Sequence, residues 1–166
     1  MNKEEFKMQI EIFSREAIKQ IAKNPFPDTT ALISITDYGY DFAELRNKPE
    51  YLLQLAFDDV SADEFETEAD QIKYHMITDD QAKQIAEFYH NIHDKVDTLI
   101  CQCEHGQSRS AAIASAIMEY RNGNGIDIFV DDKYYPNKTI FKKVFKQLRE
   151  EFKMNGKQME LNCLRN

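Results

Sequence analysis

The sequence predicts an α/β domain with a small, largely parallel central sheet flanked by helices. Three observations carry that expectation. Short apolar runs of strand length recur at 31–35 (ALISI), 51–57 (YLLQLAF) and 98–103 (TLICQC). Amphipathic helical patterns fall between and after them, at 79–95 and 138–152. Strands that alternate with helices bury both faces of a sheet, which favours parallel pairing. The 166 residues suit one core, so a single domain over 1–166 is expected.

Taken in order, residues 7–13 (KMQIEIF) alternate, with Met8, Ile10 and Ile12 on one face. This suits a short strand, with a helix from Glu4 as the competitor. Ser14 offers an N-cap for a helix over 15–23, and Asn24-Pro25-Phe26-Pro27-Asp28 breaks it. After the 31–35 strand, 37–49 reads as loop with a possible helical turn. The 51–57 strand runs into Asp58-Asp59. The acidic stretch 61–70 reads as a mobile or helical surface segment, with Glu64, Glu66, Glu68 and Asp70 as a solvated face. Thr78 and Gln81 form a capping box for the 79–95 helix, whose apolar stripe is Ile85, Phe88, Tyr89 and Ile92. The 98–103 strand leads to an alanine-rich helix over 109–120. Residues 122–136, with Gly123, Gly125 and Pro136, read mostly as loop. The last helix presents Ile140, Phe141, Val144, Phe145 and Leu148.

The net charge of -8 disfavours nucleic acids and anionic membranes as general partners, since both repel an acidic surface. Any anion site must therefore make its own positive field. Three cysteines, Cys101, Cys103 and Cys163, do not make a disulfide framework, and a reducing cytoplasmic setting is expected. The polar start, Met1-Asn2-Lys3-Glu4-Glu5, carries no signal-peptide pattern, and no apolar run reaches membrane-span length. Cys101 and Cys103 lack zinc-site spacing, so neither metal nor cofactor is expected, and Cys101 reads as core. His75, His90 and His93 show no partner in the sequence.

The segment with chemistry in it is Cys103-Glu104-His105-Gly106-Gln107-Ser108-Arg109-Ser110. It leaves a buried strand and enters a helix. Such a turn converges backbone N–H groups and a helix N-terminus on one point, which makes an anion cradle. Gly106 permits backbone conformations closed to other residues. The Arg109 fork can grip two phosphate oxygens. Cys103 lies at the base of the cradle, where oriented amides and an arginine favour the nucleophilic thiolate. The amides of Glu104, His105, Gly106, Gln107 and Ser108, with Arg109, are the expected phosphate ligands. Strand alternation puts Asp58 and Asp59 on opposite faces at a strand's carboxyl end, where α/β sheets hold ligands.

Residues 99–120 (LICQCEHGQSRSAAIASAIMEY) resemble the Cys-x5-Arg-Ser/Thr signature of the protein tyrosine phosphatase superfamily, nearest to small bacterial-type, dual-specificity-like members. A weaker likeness covers SREA from Ser14, the ALISI strand, Phe57-Asp58-Asp59-Val60 and Tyr135-Pro136-Asn137. The resemblance implies phosphomonoester hydrolysis through a cysteinyl-phosphate on Cys103. Arg109 would bind phosphate and Ser110 would assist the thiolate as leaving group. Asp59 would be the general acid, with Asp58 as the alternative. The implied substrates are phosphorylated proteins or small phosphoesters.

Two positions depart from the family pattern. Gln102 stands where His is common, and Glu104 puts a carboxylate beside the nucleophile, which opposes a thiolate unless it points to solvent. Protonated His105 would partly offset it. These departures keep a phosphate-binding module without turnover as an alternative reading. A sulfurtransferase, or a phosphatase for lipid, RNA or other non-protein phosphoesters, is the further alternative.

Overall fold

The computed structural model describes residues 8–163. Its centre is a four-stranded sheet in the order β1-β4-β2-β3, with every neighbouring pair parallel. The strands are β1 (Gln9–Ser14), β2 (Thr30–Thr36), β3 (Tyr51–Ala56) and β4 (Thr98–Cys103). The expected α/β architecture is therefore present, and its sheet is wholly parallel. Lys7 and Glu4, at the expected start of the first strand or of its helical competitor, lie outside the described residues.

Period-two alternation sorts the central strands onto two cores. Ala31, Ile33, Ile35, Leu99, Cys101 and Cys103 face one cluster. There they meet α3 (Asp79–Ile92), α4 (Arg109–Asn122) and α6 (Lys138–Cys163). Leu32 and Ile100 face the other, covered by Ile18 of α1 (Arg15–Ile21) and by Ala43 in the β2–β3 connection. All seven residues of β2 are buried, as a strand covered on both sides requires.

The helices start where the sequence signals them. Ser14 Oγ accepts from the Ala17 N–H at 3.1 Å. The Thr78–Gln81 capping box is formed, and Gln81 Nε2 also donates to the Ala56 carbonyl at 3.0 Å, docking α3 on the end of β3. Ile85, Tyr89 and Ile92 are buried, as are Ile140, Val144 and Leu148 of α6; Phe88, Phe141 and Phe145 pack half-buried beside them.

Some expectations hold with added detail, and others are corrected. The 61–70 stretch holds a 3-10 turn (Ala62–Glu64) and the start of a short helix, α2 (Glu68–Lys73), both cap-boxed and exposed. The region 122–136 contains one helical turn, α5 (Ile126–Phe129), too short to show a period in the sequence. Helix α6 runs past 152 to Cys163, through Gly156, because one exposed helical glycine costs only about 1 kcal/mol. His75 and His90 have partners: His75 stacks on Tyr38 with ring centroids 3.5 Å apart, and His90 Nε2 lies 3.3 Å from the Leu148 carbonyl. No helix among the described residues is long and apolar enough to cross a membrane.

Candidate active site

The carboxyl ends of β2, β3 and β4 lie side by side, and each delivers part of the site. From β4, the chain turns at Cys103 and enters α4 at Arg109. Gly106 makes that turn possible twice over. Its φ is +67°, in the left-handed region, and a Cβ there would lie 2.7 Å from the Phe13 carbonyl carbon and the Ser14 nitrogen. The loop thus rests directly on the β1–α1 junction. The Arg15 N–H donates to the Glu104 carbonyl at 3.0 Å and seals that contact.

Cys103 is 2% exposed, and its Sγ lies 3.0 Å from Ser110 Oγ, within reach of a hydroxyl donor at the base of the loop. Ser108 occupies the N-cap position of α4, yet its side chain makes no capping bond. Its hydroxyl donates instead to Asp59 Oδ1 at 2.8 Å. The Ser108 side chain therefore leaves the opening amides of α4 uncapped. His105 and Gln107 are exposed at the rim.

Arg109 is buried to 4% exposure, so its charge needs partners. Nη1 donates to the Phe57 carbonyl at 2.8 Å and pairs with Asp37 Oδ1 at 2.6 Å. Its Nε is buried without a hydrogen-bond partner. A buried guanidinium N–H with no acceptor is costly, and an oxyanion in the cradle would supply one. Asp37 is the site residue that sequence reasoning missed. It directly follows β2, so the rule that ligands gather at carboxyl ends was its available signal.

The two adjacent aspartates after β3 have different surroundings. Asp58 accepts backbone N–H groups at both oxygens, from Tyr38 at 3.0 Å and His75 at 2.8 Å. It braces two loops. Asp59 takes both its bonds on Oδ1, from Ser108 Oγ and from Asn137 Nδ2 at 3.0 Å, so Oδ2 is unbonded among the described residues. Asn137 also accepts from the Thr139 and Ile140 N–H groups, so one side chain both caps α6 and holds Asp59 beside the Cys103 loop. In the sequence, Asn137 stands out only through the resemblance.

The two departures from the family pattern are accommodated. Gln102 is fully buried; Ser34 Oγ donates to its Oε1 at 2.6 Å and its Nε2 donates to the Cys103 carbonyl at 2.9 Å. It braces the Cys103 backbone from the far face of the sheet. Glu104 does not simply point to solvent: Oε2 lies 2.6 Å from Arg15 Nε. Cys101 is core, and burial pushes its thiol well above the usual range, which keeps it protonated.

Two cavities border the loop elements. One of about 340 Å³ lies between Asp59, Ser61, Asp63, Glu64, Ser108 and the 135–138 segment. A larger one, about 460 Å³, lies under the Tyr38–His75 stack against Phe57, Phe65 and Tyr74.

No protein-family model matches the sequence, and no curated relative does. Solved structures do match in fold. Human DUSP28 superposes with a TM-score of 0.50 at 14% identity, covering 87% of this chain and 94% of that one. Tk-PTP in its active form gives the same score, identity and coverages. PTPMT1 in complex with PI(5)P gives 0.51 at 11% identity, covering 87% and 93%. The wholly parallel sheet, and the strand–loop–helix segment from Cys103 to Arg109, belong to a chain with the fold of the tyrosine and dual-specificity phosphatases.

Proposed function

We propose that the chain is a phosphomonoester hydrolase of the protein tyrosine or dual-specificity type, working through a cysteinyl-phosphate on Cys103. The observation that carries this reading is the convergence of three groups at one loop: the Cys103 sulfur 3.0 Å from Ser110 Oγ, the buried Arg109 with an unsatisfied N–H, and the uncapped start of α4.

In the first step the Cys103 thiolate attacks phosphorus and the bond to the leaving oxygen breaks. Asp59, protonated, gives its proton to that oxygen through Oδ2, while Ser108 and Asn137 hold Oδ1. The loop amides and Arg109 stabilise the charge on the equatorial oxygens. In the second step water attacks the phosphocysteine, the Asp59 carboxylate takes a proton from it, and the S–P bond breaks. Ser110 donates to the departing thiolate. Asp58, with both oxygens engaged by main-chain donors, serves as a brace.

Phosphorylated proteins and small phosphoesters fit the site better than polyanionic lipids or RNA. Asp59, Asp63 and Glu64 line the cavity beside the loop, and Lys138 is the cation among its lining.

Hydrolysis of p-nitrophenyl phosphate and of phenyl phosphate between pH 5 and 8, without added metal, tests the reading. Cys103→Ser should abolish turnover. Asp59→Asn should lose about 10²–10⁴-fold on phenyl phosphate, whose leaving group needs the proton, and less on p-nitrophenyl phosphate. Wild-type protein that binds vanadate but hydrolyses neither ester would replace the enzyme with a phosphate-binding module. Asp59→Asn with undiminished activity would remove Asp59 from the acid's role.

A further inference from the structure

Glu104 directly follows the nucleophile, and a carboxylate there works against a thiolate on Cys103. The structure surrounds it with an arrangement larger than a surface ion pair needs. Arg15 Nε meets Glu104 Oε2 at 2.6 Å. Arg15 Nη2 donates to Thr36 Oγ1 at 2.8 Å and to the Asp41 carbonyl at 2.9 Å. The Arg15 backbone N–H donates to the Glu104 carbonyl at 3.0 Å. Thr36 is itself buried and donates to the Asp41 carbonyl at 3.1 Å. One residue at the start of α1 therefore binds the first loop position, the end of β2, and the turn that carries Asp37 to Arg109. Isolated exposed ion pairs rarely justify such fixing, since each is worth little and costs side-chain entropy. Here the side chains are 24% and 37% exposed, and the guanidinium is oriented by two neutral acceptors.

We propose that Arg15 is a positioning residue that neutralises and anchors Glu104, so that the carboxylate beside Cys103 does not suppress the thiolate. The inference rests on Cys103 being the nucleophile of the proposed reaction, but its test reads the thiol and not turnover. The other charged groups around the loop stay constant in the variants below: His105 and Arg109 within it, Asp37 and Asp41 after β2, Asp58 and Asp59 after β3, Glu16 on α1, and Lys138 with Asp63 and Glu64 near Ser108. They displace all curves alike.

The experiment is the rate of Cys103 alkylation by iodoacetamide from pH 4 to 10, followed by mass spectrometry of the Cys103-containing fragment. Thermal denaturation checks that each variant is folded. Arg15→Gln should move the half-maximal rate about one unit to higher pH, a tenfold loss of reactivity on the acid side of the curve. Glu104→Gln alone should move it to lower pH, because Arg15 then faces no carboxylate. The double variant should return close to wild type. A double variant that stays where Arg15→Gln lies would reduce Arg15 to a purely structural tie and overturn the proposal. An unmoved profile in Glu104→Gln would overturn it even if Arg15→Gln does not fold. Absence of ester hydrolysis with these alkylation shifts intact would sink the phosphatase reading and leave the clamp standing.

Discussion

Substituting alanine at Gly106 separates two demands that a loop glycine can meet. Three described glycines have positive φ: Gly39 at +81°, Gly106 at +67° and Gly123 at +67°. At Gly39 and Gly123 an added Cβ meets nothing within 4 Å, so alanine incurs only the left-handed conformation, about 1–2 kcal/mol. At Gly106 the same Cβ would lie 2.7 Å from two backbone atoms of Phe13 and Ser14 and 3.0 Å from the Phe13 carbonyl oxygen. Those atoms belong to the β1–α1 junction, where Ser14 pairs in register with Cys103, so the neighbour cannot yield as a flexible side chain would. Overpacking of this kind adds about 1–3 kcal/mol. Gly106→Ala should therefore lose about 3 kcal/mol in all. With about 2–4 °C per kcal/mol for a domain of this size, that is a fall of about 6–12 °C in Tm. Gly123→Ala should fall by about half as much. Thermal melts of the three variants, read by circular dichroism, decide the point. If Gly106→Ala melts within a degree or two of Gly123→Ala, the close approach to β1 has been misjudged. The loop's geometry would then owe nothing to that contact.

Other outcomes follow from single contacts. Asp37→Asn frees Arg109 from its carboxylate and should tighten inhibition by inorganic phosphate, up to about tenfold; weaker inhibition would make Asp37 an orienting partner instead of a competitor. Ser115→Ala leaves the Gly125 carbonyl without its buried 2.7 Å donor and should cost about 1–3 kcal/mol in urea unfolding, with a loss under about half a kcal/mol refuting the bond's importance. Asp79 has its pKa lowered, first by its hydrogen bond to Lys143 and then by that charge. A depressed value means that the carboxylate stabilises the fold above its ordinary, unfolded-state pKa, and that this contribution disappears as the pH falls through the lowered folded-state pKa. Asp79→Asn should thus be less stable than wild type at pH 7, with the gap closing as the pH falls through the lowered folded-state pKa, as read by urea midpoints along a pH series. A gap that persists in acid would assign the loss to something other than the ion pair.

What could be read in the sequence follows the range of the physics behind it. Strand and helix types were legible because burial on two faces and on one stripe leaves different periods: β2 is buried throughout, and α3 repeats at three and four. Cys103, Gly106 and Arg109 were legible because a strand–loop–helix cradle is local, with all its parts in one short segment. Long-range side-chain pairing leaves no such trace. Asp37 meets Arg109 from the end of another strand, and Arg15 meets Glu104 across 89 positions, yet each stands in its own segment as an ordinary loop or helix residue. Asp58 and Asp59 mark the boundary between the two cases. Alternation could say that they point apart. It could not say that main-chain donors from two other loops would take both oxygens of Asp58, or that Asn137 would reach Asp59 from the start of α6. Glu104 looked like a defect in the sequence for the same reason. Its compensating charge enters from α1 through the parallel pairing of β1 with β4, which sets Ser14 opposite Cys103 and so brings the next residue, Arg15, to the mouth of the loop.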